Sequence, residues 1–357
     1  MLNRLMKILT SFSLLLAVVT SVVFLGEPKL HAKSVAADEL SGTSGYSVMS
    51  LLKDNSQVVS ANESAEMLGQ LRIELPDGVS SDDVEINNNY MGRTISIAID
   101  GIDQSYFYEY PLVGTAEHIS DIFYDCIGGK GMIDISLDSV YEPKTVVDGK
   151  YLYLSFVDPH EIYDYVVVVD AGHGGKDNGA SHGDAVEKDI NLAIVNKMKE
   201  IFDKDTSGMN IGVYYTRLDD TKISLDNRVG LANDLHADLF LSVHINSTSS
   251  GRTSQINGTE VMYLVADETG ASKQFASICL DNLLTTLGSN SKGLVAGDTI
   301  KIIRTSEVPV ALAEIGFMTN TEELQKMLSE EYQQQAAEAL YNAILQSLQD
   351  PVVMQGE

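Results

Sequence analysis

The strongest constraint on the fold is a change in hydrophobic periodicity near residue 160. Before it, from about residue 66 to 158, apolar residues such as Leu71, Ile73 and Leu75 alternate with polar ones. After it, Tyr165–Val169 is a continuous apolar run. Alternation is typical of strands with one buried face, whereas a continuous run is typical of strands buried on both faces. The 357-residue chain therefore contains two differently built regions.

The first region is expected to be a small antiparallel all-β domain over residues 66–158. Its alternating segments end at short turn signals, among them Pro76-Asp77-Gly78, Asp100-Gly101 and Asp148-Gly149. Proline, glycine and aspartate favour the tight turns that join neighbouring antiparallel strands. We expect this domain to fold alone.

The second region, residues 160–349, is expected to be an α/β domain. Apolar runs such as Leu239–Val243 and Val310–Ile315 alternate with amphipathic segments, one of which places Ile190 and Ile194 on the same face. Strands that alternate with helices predict a mostly parallel sheet flanked by helices.

Shorter segments are assigned from local patterns. Lys301–Arg304 is predicted to be a strand. Asn320 is predicted to cap a helix, with Glu323 at the capping-box position. The polar, Ser-rich stretch at residues 37–65 predicts a linker, and residues 350–357 are expected to be a tail.

The first 36 residues have the pattern of an export signal. Arg4 and Lys7 form a basic start, the apolar run Ile8–Leu25 follows, and Ser34-Val35-Ala36 offers a small-residue cleavage site. The alternative is an uncleaved membrane anchor, because an apolar run of this length just spans a bilayer. We expect a protein that is secreted or held at the cell wall.

Composition excludes several classes of partner. Lys and Arg number 24 against 51 Asp and Glu, a formal net charge of −27, and such a surface repels nucleic acids. Gly172-x-Gly174 begins a dinucleotide fingerprint, but Asp177 stands where its third glycine is required. We therefore expect no nucleic-acid partner and no nucleotide cofactor.

We favour a monomer. Two cysteines are too few for a disulfide framework.

Four residues able to bind a metal or move a proton lie next to predicted strand and helix ends. These are His173, Glu187, His244 and Glu314. The carboxyl ends of parallel strands meet at one edge of a sheet, so the four can come together there. Two imidazoles and one carboxylate suit Zn²⁺ with one position left open, and the second carboxylate, Glu314, suits a general base. Each residue also has an ordinary structural explanation, and spacing alone does not decide between the two.

Ordered motifs surround these residues. They read Val169-Asp170-Ala171-Gly172-His173-Gly174-Gly175, Glu187-Lys188-Asp189-Ile190-Asn191-Leu192, Thr216-Arg217, Asn227-Arg228-Val229-Gly230-Leu231-Ala232-Asn233, Leu239-Phe240-Leu241-Ser242-Val243-His244-Ile245-Asn246-Ser247, Gly258-Thr259-Glu260-Val261 and Ala313-Glu314-Ile315-Gly316-Phe317-Met318-Thr319-Asn320. Over about residues 164–349 the chain resembles the zinc-dependent N-acetylmuramoyl-L-alanine amidases. Ala171 departs from this pattern, since the family usually has proline there.

The resemblance implies an activity and a set of site residues. It implies a zinc ion held by His173, Glu187 and His244, with Glu314 catalytic. The expected reaction is hydrolysis of the amide bond between the muramic acid lactyl group and L-alanine in peptidoglycan. The β domain is loosely similar to the AMIN-type wall-targeting domains that accompany such amidases, so we expect it to bind wall material.

Three further residues are expected to support the site. Asp170 is expected to orient His173, and Arg217 and Asn246 are expected either to contact substrate or to brace loops. Two other functions remain open: a peptidoglycan-binding protein that does not catalyse, and a zinc peptidase that cuts within the stem peptide. An intact set of four residues argues against the former, and the motifs favour the amidase over the latter.

Overall fold

The computed structural model describes residues 45–54 and 68–356. The predicted export signal and most of the predicted linker lie outside this part of the chain. Among the residues described, no helix is long and apolar enough to cross a membrane.

A short stretch of the predicted linker belongs to the folded β region. Tyr46–Ser47 forms strand β1, which pairs antiparallel with Phe123 and Tyr124, and Val48 is fully buried. The prediction of a linker is therefore wrong for residues 45–54. Local composition does not reveal that a two-residue strand pairs with a segment far along the chain.

The N-terminal region consists of antiparallel sheets around one core. Its further elements are β2 (Leu71–Glu74), β3 (Val84–Asn89), β4 (Thr94–Asp100), α1 (Tyr106–Glu109), β5 (Val113–Gly114), β6 (Ile119–Ile127), β7 (Lys130–Leu137), β8 (Glu142–Asp148) and β9 (Tyr151–Val157). One sheet has the order β1-β6-β7-β4-β3 and the other β5-β2-β9-β8. Alternate residues of both, such as Ile95 and Ile97 of β4 and Leu152 and Leu154 of β9, are buried together. The predicted antiparallel architecture is confirmed.

The C-terminal region is built on a six-stranded mixed sheet. Its elements are β10 (Tyr165–Ala171), β11 (Ser181–His182), β12 (Ala185–Val186), α2 (Glu187–Phe202), β13 (Ile211–Tyr215), α3 (Leu225–Asp234), β14 (Leu239–Asn246), β15 (Thr259–Tyr263), α4 (Ala271–Leu287), β16 (Ser291–Ala296), α5 (Lys301–Arg304), β17 (Val310–Phe317), α6 (Thr321–Met327) and α7 (Glu330–Ser347). The strand order is β13-β10-β14-β17-β15-β16. Only the β15·β17 pairing is antiparallel, so the prediction of a mostly parallel sheet is confirmed.

Helices cover both faces of this sheet. On one face α2, α4 and α7 pack over a core that includes Leu241 and Ala313. On the other face α3 and α5 pack over a core that includes Phe240. Tyr90 and Val140 of the N-terminal region belong to this second core, so the β region packs against this face of the C-terminal region.

The segment Lys301–Arg304 corrects one local prediction, because it is helix α5 and not a strand. Its two central residues, Ile302 and Ile303, are both buried. A helical turn can bury two adjacent side chains on one apolar surface, whereas a half-buried strand sends them to opposite faces. Four residues are too few for periodicity to separate these cases.

Helix α6 corrects a second local prediction, the capping box at Glu323. Asn320 caps it as predicted, with its side-chain oxygen accepting hydrogen bonds from the backbone of Glu322 and Glu323. The Glu323 carboxylate does not complete a capping box. It accepts from the backbone N–H of Phe317 at 2.7 Å and of Gly258 at 2.9 Å. Glu323 thus links the end of β17 to the start of β15.

Candidate active site

Three of the four predicted site residues form one compact cluster. His173 lies just after β10, His244 lies near the end of β14, and Glu187 is the first residue of α2. The Glu187 Oε1 atom lies 3.2 Å from His173 Nε2 and 2.8 Å from His244 Nδ1. One ligand atom from each residue lies within 4.8 Å of the others. Two imidazoles and a carboxylate at this spacing are a donor set that fits Zn²⁺.

The cluster is electrostatically coupled. Burial by itself would raise the pKa of Glu187, but hydrogen bonds and charge from the two histidines hold that pKa well below its ordinary value. Burial opposes protonation of His173, yet Glu187 and Asp177 raise its pKa. A cation is therefore favoured at the centre of these groups.

Two glycines allow the three side chains to approach one another. A Cβ on Gly172 would lie 2.3 Å from the His244 ring. A Cβ on Gly179 would lie 2.4 Å from Glu187 Oε2 and 2.6 Å from His173 Cδ2. No side chain fits at either position without displacing a member of the cluster.

The backbone of His173 is held in a left-handed conformation, with φ of 63°. Arg228 stabilises this conformation, because its guanidinium donates to the carbonyl oxygens of His173 and Ala171 and to the carboxylate of Asp170. Such backbone strain persists only where the surroundings over-determine it.

The structure corrects the predicted role of Asp170. Its fully buried carboxylate accepts hydrogen bonds from Thr216 and Ser242, both at 2.6 Å, in addition to Arg228. The ring of His173 is held instead by Asp177, whose Oδ1 lies 3.0 Å from Nδ1. Asp170 supports the loop through Arg228 and does not orient the imidazole.

Arg217 and Asn246 both form hydrogen bonds to segments that are distant from them in sequence. Arg217 is buried and donates to the carbonyl oxygens of Ala171 at 2.8 Å and Gly172 at 2.7 Å. Asn246 donates from its amide to Glu260 Oε1 at 2.8 Å and joins β14 to β15. These contacts suit a bracing role, and contact with substrate stays a prediction.

Glu314 lies beside the cluster on β17. It is the cross-strand partner of His244 on one side and of Glu260 on the other. Its Oε2 atom is buried and has no hydrogen-bond partner. Burial, reinforced by Glu187 and Glu260 and opposed by His244, raises the pKa of Glu314 to about 7. Such a carboxyl can both accept and donate a proton near neutral pH.

The sequence of this region matches a known family over half of the chain. Residues 167–346 match the family described as N-acetylmuramoyl-L-alanine amidase, Amidase_3. The chain belongs to this family.

Individual proteins are similar to this chain over about half of its length. An uncharacterized protein, YqiI, of Bacillus subtilis is 38% identical over 182 residues, which are 50% of this chain and 82% of that protein. The N-acetylmuramoyl-L-alanine amidase LytC of the same organism is 32% identical over 49% of this chain and 34% of its own length. The crystal structure of an N-acetylmuramoyl-L-alanine amidase from Clostridium difficile 630 is 33% identical, with a TM-score of 0.48, over 52% of this chain and 97% of that one.

Reasoning from the sequence missed several residues that lie around the candidate active site. Asp177, Glu260 and Asn191 lie outside the predicted set, although Asn191 Nδ2 lies 3.3 Å from the carbonyl oxygen of Gly172. One of them carries a usable signal, because Asn191 follows Glu187 by four residues on one helix face. The position of Glu260 opposite Glu314 depends on strand register alone.

Proposed function

We propose that the protein is a zinc-dependent hydrolase that cuts the amide bond between the N-acetylmuramoyl group and L-alanine in peptidoglycan. One observation carries this proposal: in a chain of the amidase family, the His173, Glu187 and His244 cluster lies next to Glu314, whose buried Oε2 atom has no hydrogen-bond partner. Family membership supports the identity of the bond that is hydrolysed, and the cluster supports the use of zinc.

His173, Glu187 and His244 would hold the zinc ion. A bound zinc ion acts as a Lewis acid on the scissile carbonyl and lowers the pKa of water to about 7. Asp177 keeps the His173 ring in position, and Arg228 keeps the backbone of the same residue in position. The protein contributes a rigid donor set on one sheet edge.

Glu314 acts first as the general base and then as the general acid. Its carboxylate takes a proton from the attacking water as the water oxygen bonds to the lactyl carbonyl carbon. When the carbon–nitrogen bond breaks, Glu314 returns that proton to the leaving nitrogen of L-alanine. The products are a lactyl carboxylic acid and a free peptide amine, and the acid's proton passes to the amine at neutral pH. A pKa near 7 suits both halves of this cycle.

The N-terminal region is proposed to hold the enzyme on its polymeric substrate. We assign residues 66–158 to this wall-binding role, residues 160–349 to catalysis, and the first 36 residues to export. Nothing in the acidic composition attracts the chain to anionic wall polymers, so docking requires a shaped site.

Digestion of purified peptidoglycan, followed by mass spectrometry of the new termini, tests the proposal. An amidase releases stem peptides that begin with L-alanine and leaves lactyl groups free. A peptidase within the stem would leave L-alanine attached to the sugar, and a binding protein would create no termini. Either of those outcomes rejects the proposal.

The variant Glu314→Gln provides the control for the proton-transfer role. It is expected to retain zinc while losing about 10²–10⁴-fold in rate, the usual scale for a positioned general base. His173→Ala is expected to lose the zinc itself in metal analysis. Normal turnover by Glu314→Gln would remove Glu314 from the mechanism.

A further inference from the structure

Glu260 is a second carboxylate beside Glu314, and the proposed reaction does not yet use it. It lies on β15, where the strand register places it directly opposite Glu314 on β17. Residues directly opposite one another on antiparallel strands have Cβ atoms about 5 Å apart and share one face of the sheet. The two carboxylates therefore face the same space next to the candidate zinc site.

The strand order places Glu260 on the side of Glu314 that is farther from the cluster. The register partners across β14, β17, β15 and β16 are His244, Glu314, Glu260 and Gly293, in that order. A Cβ on Gly293 would meet nothing within 4 Å, so the space beyond Glu260 is open. Glu260 itself is only partly buried. A molecule bound at the cluster can therefore extend over Glu314 and reach Glu260.

No lysine or arginine neutralises these two carboxylates. The charges that act on Glu314 are those of His244, Glu187, Glu260 and His173. In the part of the chain that the structure describes, the ion pairs of lysine and arginine all involve other carboxylates. Like charges directly opposite on neighbouring strands are destabilising. The arrangement therefore favours a bound group that carries positive charge or N–H donors.

The Glu260 carboxylate is held in place before any ligand binds. The side-chain amide of Asn246 donates to Glu260 Oε1 at 2.8 Å. The backbone N–H of Ser247 donates to Asn246 Oδ1 at 2.7 Å and so fixes the amide group itself. A carboxylate that is oriented in advance loses little conformational entropy when a ligand arrives.

We propose that Glu260 binds the leaving nitrogen of L-alanine and stabilises the positive charge that forms on it. In the proposed reaction Glu314 protonates this nitrogen, so the nitrogen lies beside Glu314, within reach of the opposite carboxylate. Glu260 accepts a hydrogen bond from the N–H of the scissile amide and, after cleavage, from the ammonium group of the released peptide. It transfers no proton itself. The inference rests on the proposed function, because that function supplies the leaving amine.

Amide and ester substrates separate this role from a structural one. The zinc-loaded full chain is assayed on a soluble muramoyl peptide and on its ester analogue, in which oxygen replaces the scissile N–H. Glu260→Gln is expected to lower kcat/KM for the amide about 10–100-fold, the scale of one hydrogen bond to a charged group. The ester has no N–H to donate and is expected to be hydrolysed normally. An equal loss on both substrates, or no loss on the amide, would overturn the proposal.

Binding of the released peptide provides a readout that does not depend on hydrolysis. Calorimetry compares a stem peptide that begins with free L-alanine and its des-amino analogue, in which a propionyl group replaces L-alanine. Glu260→Gln is expected to bind the amine peptide about tenfold more weakly and the analogue equally well. Equal binding of the amine peptide by this variant and the unaltered protein would overturn the proposal. If the unaltered protein hydrolyses neither muramoyl substrate, the proposed function fails and the binding comparison stays valid.

Matched controls separate loss of the charge from loss of the fold. Glu322 is an exposed carboxylate in the first turn of α6, and Glu322→Gln is expected to match the unaltered protein in both assays. Glu260→Gln removes a repulsive charge and keeps an oxygen for Asn246, so it is expected to unfold at no lower temperature. A lower unfolding temperature with equal losses on amide and ester would assign Glu260 to bracing the strands and overturn the proposal.

Glu260→Ala supplies a second variant, in which no side-chain acceptor remains. It is expected to show the same selective loss on the amide and on the amine peptide. Loss of selectivity in neither assay, with the zinc content unchanged, would also overturn the proposal.

Discussion

Two glycines near the candidate zinc site have nearly the same backbone conformation and different surroundings. Gly179 has φ of 64° and Gly183 has φ of 62°. A Cβ on Gly179 would meet Glu187 and His173, whereas a Cβ on Gly183 would meet nothing within 4 Å. The pair therefore separates crowding of the ligands from the cost of a left-handed backbone.

Gly179→Ala is expected to lose most of its bound zinc, because the added methyl group displaces Glu187 or His173 from the ligand geometry. Gly183→Ala is expected to keep its zinc and to pay only the backbone strain, about 1–2 kcal/mol of stability. Metal analysis and thermal unfolding of both variants measure the difference. Equal zinc contents would contradict the packing described for Gly179.

Asp170 and Arg228 form a buried pair beneath the His173 loop, with side-chain exposures of 0% and 3%. Arg228→Met is expected to destabilise the fold by about 3–5 kcal/mol, because it leaves the Asp170 charge buried without its cationic partner. Adding Asp170→Asn to that variant is expected to recover part of the loss. Denaturant unfolding of the single and double variants checks this. A double variant less stable than Arg228→Met would contradict it.

Acid sensitivity is also expected from this pair. Burial opposes the charged form of Asp170, but Arg228 and the hydroxyls of Ser242 and Thr216 lower its pKa below the ordinary value. Stability from a lowered carboxyl pKa is present above the unfolded-state value, about 3.9, and is lost as the pH falls through the folded-state value. Asp170→Asn should therefore flatten the decline of unfolding free energy below about pH 4. If the unfolding free energy of Asp170→Asn declines as steeply in acid as that of the unaltered protein, the decline belongs to other carboxylates.

At the scale of secondary structure, Glu323 shows how one side chain can join elements distant in sequence. From helix α6 it accepts backbone hydrogen bonds from Phe317 in β17 and from Gly258 ahead of β15. It therefore supports the strands that carry Glu314 and Glu260. Its neighbour Glu322 lies exposed on the same helix.

Glu323→Gln is expected to cost about 1–3 kcal/mol of stability, since the amide NH2 group replaces one of the two accepting oxygens and leaves one backbone N–H without an acceptor. Glu322→Gln changes the charge of the same helix turn and is expected to cost less than about 0.5 kcal/mol. Urea unfolding of both variants measures the contrast. Equal losses would indicate a general charge effect at the helix N-terminus.

At the scale of the whole molecule, the N-terminal and C-terminal regions share an interface. The Tyr90 hydroxyl donates to the carbonyl oxygen of Tyr215 at 2.8 Å, and Tyr214 donates to Glu142 Oε1 at 2.6 Å. Arg93 pairs with Asp234 at the end of α3. The expected independence of residues 66–158 remains a prediction, but these contacts show that the region is packed on its neighbour.

Tyr90→Phe is expected to lower the stability of this interface by about 1 kcal/mol, the usual value of one hydrogen bond. Exchange of the backbone amide hydrogens should become faster around Tyr215, at the end of β13, because the Tyr215 carbonyl oxygen loses a buried donor. Tyr108→Phe removes an exposed hydroxyl and is the control. Exchange that changes equally in both variants would argue against the assigned contact.

Much of the architecture is predictable from the sequence because it depends on local periodicity. Alternation before residue 158 and continuous apolar runs after Tyr165 are enough to separate an antiparallel region from a mostly parallel sheet. The motifs around His173, Glu187, His244 and Glu314 are equally local, and strand ends bring them to one edge. These predictions rely on residues that are neighbours in sequence or occupy equivalent ends of adjacent strands.

Only the tertiary structure decided which polar groups meet across the chain. Asp177 holds the His173 ring and Asp170 binds Arg228, although both aspartates are close to His173 in sequence. Glu323 binds strand ends instead of capping its own helix. Burial forces each polar group to take the nearest available partner in three dimensions. That partner is set by strand register and helix packing, which no local pattern of residues records.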